Sequence, residues 1–322
     1  MAVSIPAVHA VSLLQFAPYL AEHDVDVLAF FSRQGLSPNI FQLHDSWLPR
    51  DLCLRLSSAL AEETGNPFAG AFLGNSVPVL AFGEFGRRLS GAETVQTCCT
   101  TAIRNLGLVH RGSRITTLLE RKRLVLRFQL DGGITQDPRQ FTLATLAVLR
   151  NVILLGGEPD LVTVRLSIPR ESACSVLEEC LGENLEFGCQ HDEIIVRGDL
   201  LEKPVNVPTK PARTEDALRT TVKAAVLLSK RLPALPVSID IVASELGLTR
   251  RTMQRRLADC GVAFSALLDI TRRDVAIRRL LEGQGSLKAL ALDLGYSDQA
   301  HFTRSFRRWT GEAPTNFVMG GV

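Results

Sequence analysis

No apolar run in this chain of 322 residues approaches the roughly 18 to 20 residues that a membrane helix needs. Arg, Asp, Glu or Gly interrupts each candidate, and a soluble protein is expected. The first basic side chain is Arg33, so the N-terminus lacks the basic region that precedes the apolar core of a secretory signal, and the cytoplasm is the expected location. Cysteine is scarce and carries no pattern. Cys53, Cys98, Cys99, Cys174, Cys180, Cys189 and Cys260 form an odd set without a CxxC pair, which suits a reducing compartment and neither a disulfide framework nor zinc. They read as small core residues, the adjacent Cys98 and Cys99 included. There is no Gly-rich phosphate loop of either common type. His44, His110 and His191 can line a pocket, but none has an acidic or cysteine partner at ligand spacing, so neither a metal nor a cofactor is expected.

What is present is 46% apolar and 22% charged sequence, enough for two globular domains with proper cores. The net charge of +2 hides an asymmetry. Residues 1–208 hold 18 Lys/Arg against 23 Asp/Glu, and residues 209–322 hold 18 against 11, so the two parts carry −5 and +7. A polyanion is the natural partner of the second part. Between them, residues 203–213 contain Pro204, Pro208 and Pro211, which cannot sit inside a helix or a central strand and mark a linker.

Upstream of the linker, residues 1–202 form one expected domain. Its first part is mainly helical, with helical spacing of apolar residues from Val25 to Phe31 and from Leu52 to Leu60, punctuated by Gly35, Pro38 and Gly65. Strands are expected over Arg114–Leu119 and Leu124–Leu130, joined by a charged turn from Glu120 to Arg123, and over Leu161–Ile168 and Glu193–Arg197. A further helix is expected between Pro138 and Leu155. The fold expected here is α+β.

Downstream, residues 214–322 contain an internal repeat with a period of 48 residues. Ile239, Val242, Ala243 and Leu246 recur as Leu287, Leu290, Ala291 and Leu294, each set at i, i+3, i+4, i+7, the buried stripe of a short helix. Gly247 and Gly295 follow, each able to take the positive φ of a tight turn. Leu248 and Tyr296 come next as apolar plugs, then Thr249 and Ser297 as expected caps of a second helix. That helix buries Met253 and Leu257 in copy one, Phe302 and Phe306 in copy two. Its remaining face is Arg250, Arg251, Thr252, Gln254, Arg255 and Arg256 in the first copy. In the second it is Gln299, His301, Thr303, Arg304, Arg307 and Arg308. Arg matches guanine bidentately, Gln matches adenine and Thr meets a thymine methyl or a phosphate, the side-chain vocabulary of major-groove reading. The expected all-α domain thus holds one helix-turn-helix at 239–260 and another at 287–310. A linker helix at 264–281, carrying Arg272, Arg273, Arg278 and Arg279, joins them as a rigid spacer.

These residues resemble the DNA-binding domain of the AraC/XylS transcription regulators. The stretch Ala291 to Gly311, with Ala313-Pro314 after it, is similar to the family signature almost position by position, Trp309 fitting the variant that ends Arg-Trp-Thr-Gly. The resemblance implies base contacts from Arg251, Gln254 and Arg255 in one groove and from Gln299, His301, Thr303 and Arg304 in the next. It implies phosphate contacts from Arg250, Lys288, Arg307 and Arg308. The family usually closes with an aromatic residue followed by Arg, where this chain reads Asn316-Phe317-Val318. Residues 15–190 resemble the family's arabinose-binding-type N-terminal domain, in the subgroup of the ornithine-utilisation regulator, on Gly35-Leu-Ser-Pro38, the Leu52–Pro67 segment and the Arg114–Leu130 hairpin. No residue there identifies an effector.

The resemblance implies a regulator rather than an enzyme, read here as an activator. Its partners would be promoter DNA, RNA polymerase, an unidentified small-molecule effector and a second copy of the chain. An alkyl-transfer enzyme on the same DNA-binding domain would need a Pro-Cys-His-Arg motif, and no cysteine here precedes His. An interaction protein that dimerises with another regulator is the other alternative, and the intact basic faces of both recognition helices argue against it.

Overall fold

Three short strands from distant parts of the chain form an antiparallel sheet in the order β2-β1-β3. They are β1 (Ala7–His9), β2 (Trp47–Pro49) and β3 (His110–Arg111), with Val8 opposite both Leu48 and His110. The computed structural model describes residues 5–37, 39–120, 122–170, 172–207, 212–232, 237–283 and 285–319. Pro38, Arg121 in the expected charged turn, and the linker residues Pro208 and Pro211 lie outside the described residues. A second sheet has the order β4-β5-β8-β6-β7, from β4 (Ser113–Glu120), β5 (Arg123–Leu130), β6 (Val162–Arg165), β7 (Leu185–Glu186) and β8 (Glu193–Arg197). The expected hairpin is present and runs from Ser113 opposite Leu130 to Glu120 opposite Arg123, so Glu120 and Arg123, expected in the turn, belong to the strands. Central β8 buries Ile194, Ile195 and Val196. It also buries Glu193, which is bracketed by Arg127 from β5 at 2.7 Å and Arg165 from β6 at 3.7 Å. A carboxylate taken out of water needs such partners, and here they tie three neighbouring strands.

The helices begin with α1 (Val11–Leu14), α2 (Phe16–Glu22) and α3 (Val27–Arg33). Next come α4 (Arg50–Thr64), α5 (Ala69–Ser76), α6 (Glu84–Leu89), α7 (Val95–Asn105) and α8 (Arg139–Ile153), then the short α9 (Leu177–Leu181) and α10 (Gly198–Leu201). All but α3 belong with the two sheets to one unit, residues 1–25 and 44–215. Its α5 and α8 approach backbone to backbone, because α5 presents Gly70 and Gly74 on one face. A Cβ on either would come within 2.0 Å of the Gln140 carbonyl or 2.3 Å of the Ala144 carbonyl. At the start of α4, the buried Arg50 guanidinium donates to the carbonyls of Gly112, Asp131 and Gly133, replacing the water it gives up. Six of the cysteines are buried and Cys189 is half-buried. Burial pushes the thiols of Cys53, Cys99, Cys180 and Cys260 up to about 12, as befits packing residues.

The second unit is all helix: α11 (Arg213–Arg231), α12 (Ile239–Glu245), α13 (Arg250–Ala258), α14 (Phe264–Leu281), α15 (Leu287–Asp293), α16 (Gln299–Thr310) and α17 (Pro314–Met319). Residues 26–43, which the sequence reading assigns to the N-terminal domain, group with this unit. Their helix α3 is capped by Asp26, whose carboxylate accepts from the Leu28 and Ala29 N–H groups at 3.0 Å, and it buries Val27, Phe30 and Phe31 completely. After it, Asn39 donates to Thr271 Oγ1 at 3.1 Å, Ser37 donates to Asp274 at 2.9 Å, and Gln42 bonds Ser229. These polar pairs span more than 180 positions in sequence, so neither partner announces the other locally. Among the described residues, no helix is long and apolar enough to cross a membrane.

Candidate nucleic-acid interface

The two repeats fold as helix-turn-helix motifs. Each first helix opens on a serine cap that the sequence reading did not identify. Ser238 Oγ accepts from the Ile241 N–H at 3.3 Å and Ser286 Oγ from the Ala289 N–H at 3.2 Å, satisfying donors that the first turn leaves free. The signal was available, since the serines are also 48 residues apart. Each first helix closes on a left-handed glycine, Gly247 at φ 66° and Gly295 at φ 78°. The next residue's N–H reaches back into the helix, Leu248 to the Ala243 carbonyl at 2.8 Å and Tyr296 to the Ala291 carbonyl at 3.0 Å.

Of the expected plugs, Tyr296 is buried and Leu248 is half-buried. Met253 and Leu257 are buried in the first motif together with Val242, Ala243, Cys260, Val262 and Leu267. In the second, Phe302, Phe306 and Tyr296 form one cluster with Leu290, Ala291, Leu294, Val275 and Ala276, and Trp309 and Phe317 pack against it. The Phe317 ring, at the aromatic position of the family's ending, meets Phe306 edge-on at 5.5 Å and fills core space.

The second helices start differently. Thr249 caps α13 as expected, its hydroxyl accepting from the Thr252 N–H at 3.2 Å. Ser297 does not cap α16. Asp298, one residue later, has the extended backbone of a cap and accepts from the His301 N–H at 2.7 Å, while Ser297 Oγ donates to the other Asp298 oxygen at 3.0 Å. The reason is a one-residue insertion in the turn: Gly247 and Gly295 are 48 apart, but Met253 and Phe302 are 49 apart. Accepting these bonds, above all the His301 N–H, holds the Asp298 carboxyl below its ordinary pKa.

Hydrogen bonding sorts the arginines into two sets. Arg256, expected on the exposed face of α13, turns instead towards α11 and donates to Asp216 at 2.8 Å and Thr220 at 3.1 Å. Arg272 of α14 donates to the Leu294 carbonyl at 2.9 Å and lies over the Tyr296 ring, and Arg279 pairs with Asp293 at 2.6 Å. These three brace the motifs. Arg251, Gln254 and Arg255 on α13, and Gln299 and Arg304 on α16, are exposed, and their side chains make no hydrogen bond or ion pair among the described residues. His301 is exposed with its ring 5.0 Å from Tyr296, and Thr303 is half-buried and donates to the Gln299 carbonyl at 2.8 Å. Of the side chains expected at phosphates, Lys288 and Arg307 are exposed and free of such bonds. Arg250 pairs with Asp240 at 3.2 Å and Arg308 with Asp269 at 2.9 Å. These are exposed ion pairs, weak enough to exchange for a phosphate.

Comparison with known proteins matches two family models. Residues 25–205 match one described as the arabinose-binding domain of AraC transcription regulator, N-term, and residues 242–319 match a helix-turn-helix domain. The chain is 24% identical to the ornithine utilization regulator of Pseudomonas aeruginosa, over 97% of this chain and 96% of that protein. It is 26% identical to the HTH-type transcriptional regulator VirS of Mycobacterium tuberculosis, over 98% and 97%. Among solved structures, the transcriptional regulator CdpR from Pseudomonas aeruginosa aligns over 91% of this chain and 96% of its own at 22% identity and a TM-score of 0.41.

Proposed function

Since the chain belongs to the AraC family of transcription regulators, we propose that it activates transcription by reading an asymmetric promoter site through two non-identical recognition helices. Base contacts fall to Arg251, Gln254 and Arg255 from α13 and to Gln299, His301, Thr303 and Arg304 from α16. Lys288, Arg250, Arg307 and Arg308 hold the phosphates. The carrying observation is the sorting of polar side chains. Within two motifs of the same build, the arginines that brace the fold are paired internally, while the side chains of an Arg-and-Gln set on each second helix stay exposed and unpaired among the described residues. An unpaired guanidinium held on a rigid helix is ready for a guanine edge.

The spacer supports entry into successive grooves. The 18 residues of α14 make a rod of about 27 Å, comparable with the roughly 34 Å that separates successive major-groove entries on one face of the duplex. A site of roughly 20 base pairs per protomer follows. In this reading residues 214–322 bind DNA, residues 203–213 link, and residues 1–202 sense an effector, pair two protomers and govern occupancy or contact with RNA polymerase. The test is to map bound sites across the genome, then titrate the recovered promoter in gel shifts. Arg255→Ala and Arg304→Ala should each weaken binding by about 1 to 3 kcal/mol at one base position. Wild-type titrations from both variants would show that other helices read the DNA.

A further inference from the structure

The N-terminal unit contains an apolar cavity that the DNA-reading motifs do not use. It lies where α5 and α8 meet α1, α2 and α4, walled by side chains such as Phe16, Leu60, Leu73, Phe141 and Leu149, and has a volume of about 80 Å³. One water needs only about 10–15 Å³, whereas an apolar cavity that takes benzene measures about 150 Å³. The space therefore suits a slender molecule of a few carbon atoms.

Its chemistry is one-sided. No Lys, Arg, Asp or Glu lines it. The titratable groups that do are neutral, since burial pushes the Cys53 thiol up to about 12 and the His110 imidazole down to about 4. Two of the four hydroxyl or amide groups in the wall are already spent on their own helices, Ser57 on the Cys53 carbonyl and Thr145 on the Phe141 carbonyl. Gln15 donates to the Val11 carbonyl. Two buried polar atoms of lining residues have no partner among the described residues, His110 Nδ1 and Ser12 Oγ. A buried polar atom without a hydrogen bond costs free energy until something pairs with it, and His110 is only 8% exposed. An apolar cavity with a few convergent polar groups is the usual form of a small-molecule site.

We propose that this cavity is the effector site of the N-terminal unit, and that it takes a short, uncharged aliphatic molecule with one hydrogen-bonding head group, an alcohol or an amide, held by His110 and Ser12. A zwitterionic amino acid would leave both charges unpaired there, and a pentose would bring more hydroxyls than the wall can satisfy. The identity of the site stands on the cavity alone; its role as an effector site rests on the regulator reading above.

The full-length chain, titrated with 1-propanol, acetamide, L-arabinose and L-ornithine by calorimetry and thermal melting, tests this. The alcohol and the amide should bind saturably at one per chain, and at a hundredfold excess over Kd raise the melting point of the N-terminal unit by about 5 °C or more. Methyl NMR should show ligand contacts at Leu73 and Leu149. Val148→Phe, which fills the cavity, should abolish binding. His110→Phe keeps the ring and loses the nitrogen, and should weaken acetamide about tenfold. Absence of saturable binding by both aliphatic probes, contacts to methyls elsewhere, undiminished binding in both variants, or saturable binding of arabinose or ornithine at these methyls would each overturn the proposal. Gel shifts of the same samples separate the two readings. For the unaltered chain, no aliphatic-probe binding with intact DNA binding sinks the cavity assignment alone, and no specific DNA binding with intact ligand binding sinks the regulator reading alone.

Discussion

Protonating His110 works against the fold. The ring is 8% exposed, 5.0 Å from the Phe141 ring and 6.3 Å from Phe128, and burial moves its pKa from the ordinary 6.5 down to about 4. Because the folded-state pKa is depressed, the unfolded chain binds the extra proton between pH 6.5 and 4. Stability is therefore whole above pH 6.5 and falls as the pH drops through that window. One pKa unit is worth about 1.4 kcal/mol, so the full loss below pH 4 is about 3 kcal/mol, of which about 2 kcal/mol is gone by pH 5. Urea titrations at pH 7 and pH 5 measure this. Of the two tryptophans, Trp47 lies in the N-terminal unit and Trp309 in the second helix-turn-helix, so a Trp309→Phe background confines the fluorescence to the unit in question. His110→Phe is the control, since it keeps an aromatic ring against Phe128 and Phe141 and cannot titrate. Wild type should lose about 2 kcal/mol more than this variant between the two pH values. The His9 pKa is also lowered by burial, but His9 titrates in both proteins and cancels. Equal losses in the two proteins would refute the argument by placing the proton uptake elsewhere.

The sorting of arginines gives a paired prediction. Arg256→Ala should cost about 1 kcal/mol of stability by removing the bonds to Asp216 and Thr220, and leave base preference unchanged. Melting curves and binding to a site library read the two effects, and a relaxed base preference in this variant would reassign the reader. Neutralising Arg307 should weaken all DNA sequences alike and lower the salt dependence by about one counterion; an unchanged salt slope rejects its phosphate role. Asp298→Ala should speed hydrogen exchange of the His301 amide by removing the acceptor at 2.7 Å, with rescue by Asp298→Ser, whereas the same change in Ser297→Ala would return the cap to Ser297.

What could be read in the sequence is what repeats or alternates within a short span. The helix-turn-helix pair is written twice, and every feature that defines it lies within about 25 residues, so stripe, glycine and plug were all legible. The hairpin from Ser113 to Leu130 was legible for the same reason. The misplaced cap at Ser297 came from extending the 48-residue period past the turn, although the 49-residue spacing of Met253 and Phe302 already contained the insertion. Arg256 was misread because a helix projection separates polar from apolar faces but cannot show that Asp216, 40 positions away, waits on a neighbouring helix. The cavity is further out of reach. His110 looked like one of three isolated histidines, and only the pairing of Val8 with His110 and the glycine-mediated contact of α5 with α8 turn it into part of a wall. A DNA-reading surface consists of side chains that the fold leaves free on one helix, so local pattern finds it. A ligand cavity consists of space that several helices fail to fill, and no single stretch of sequence contains it.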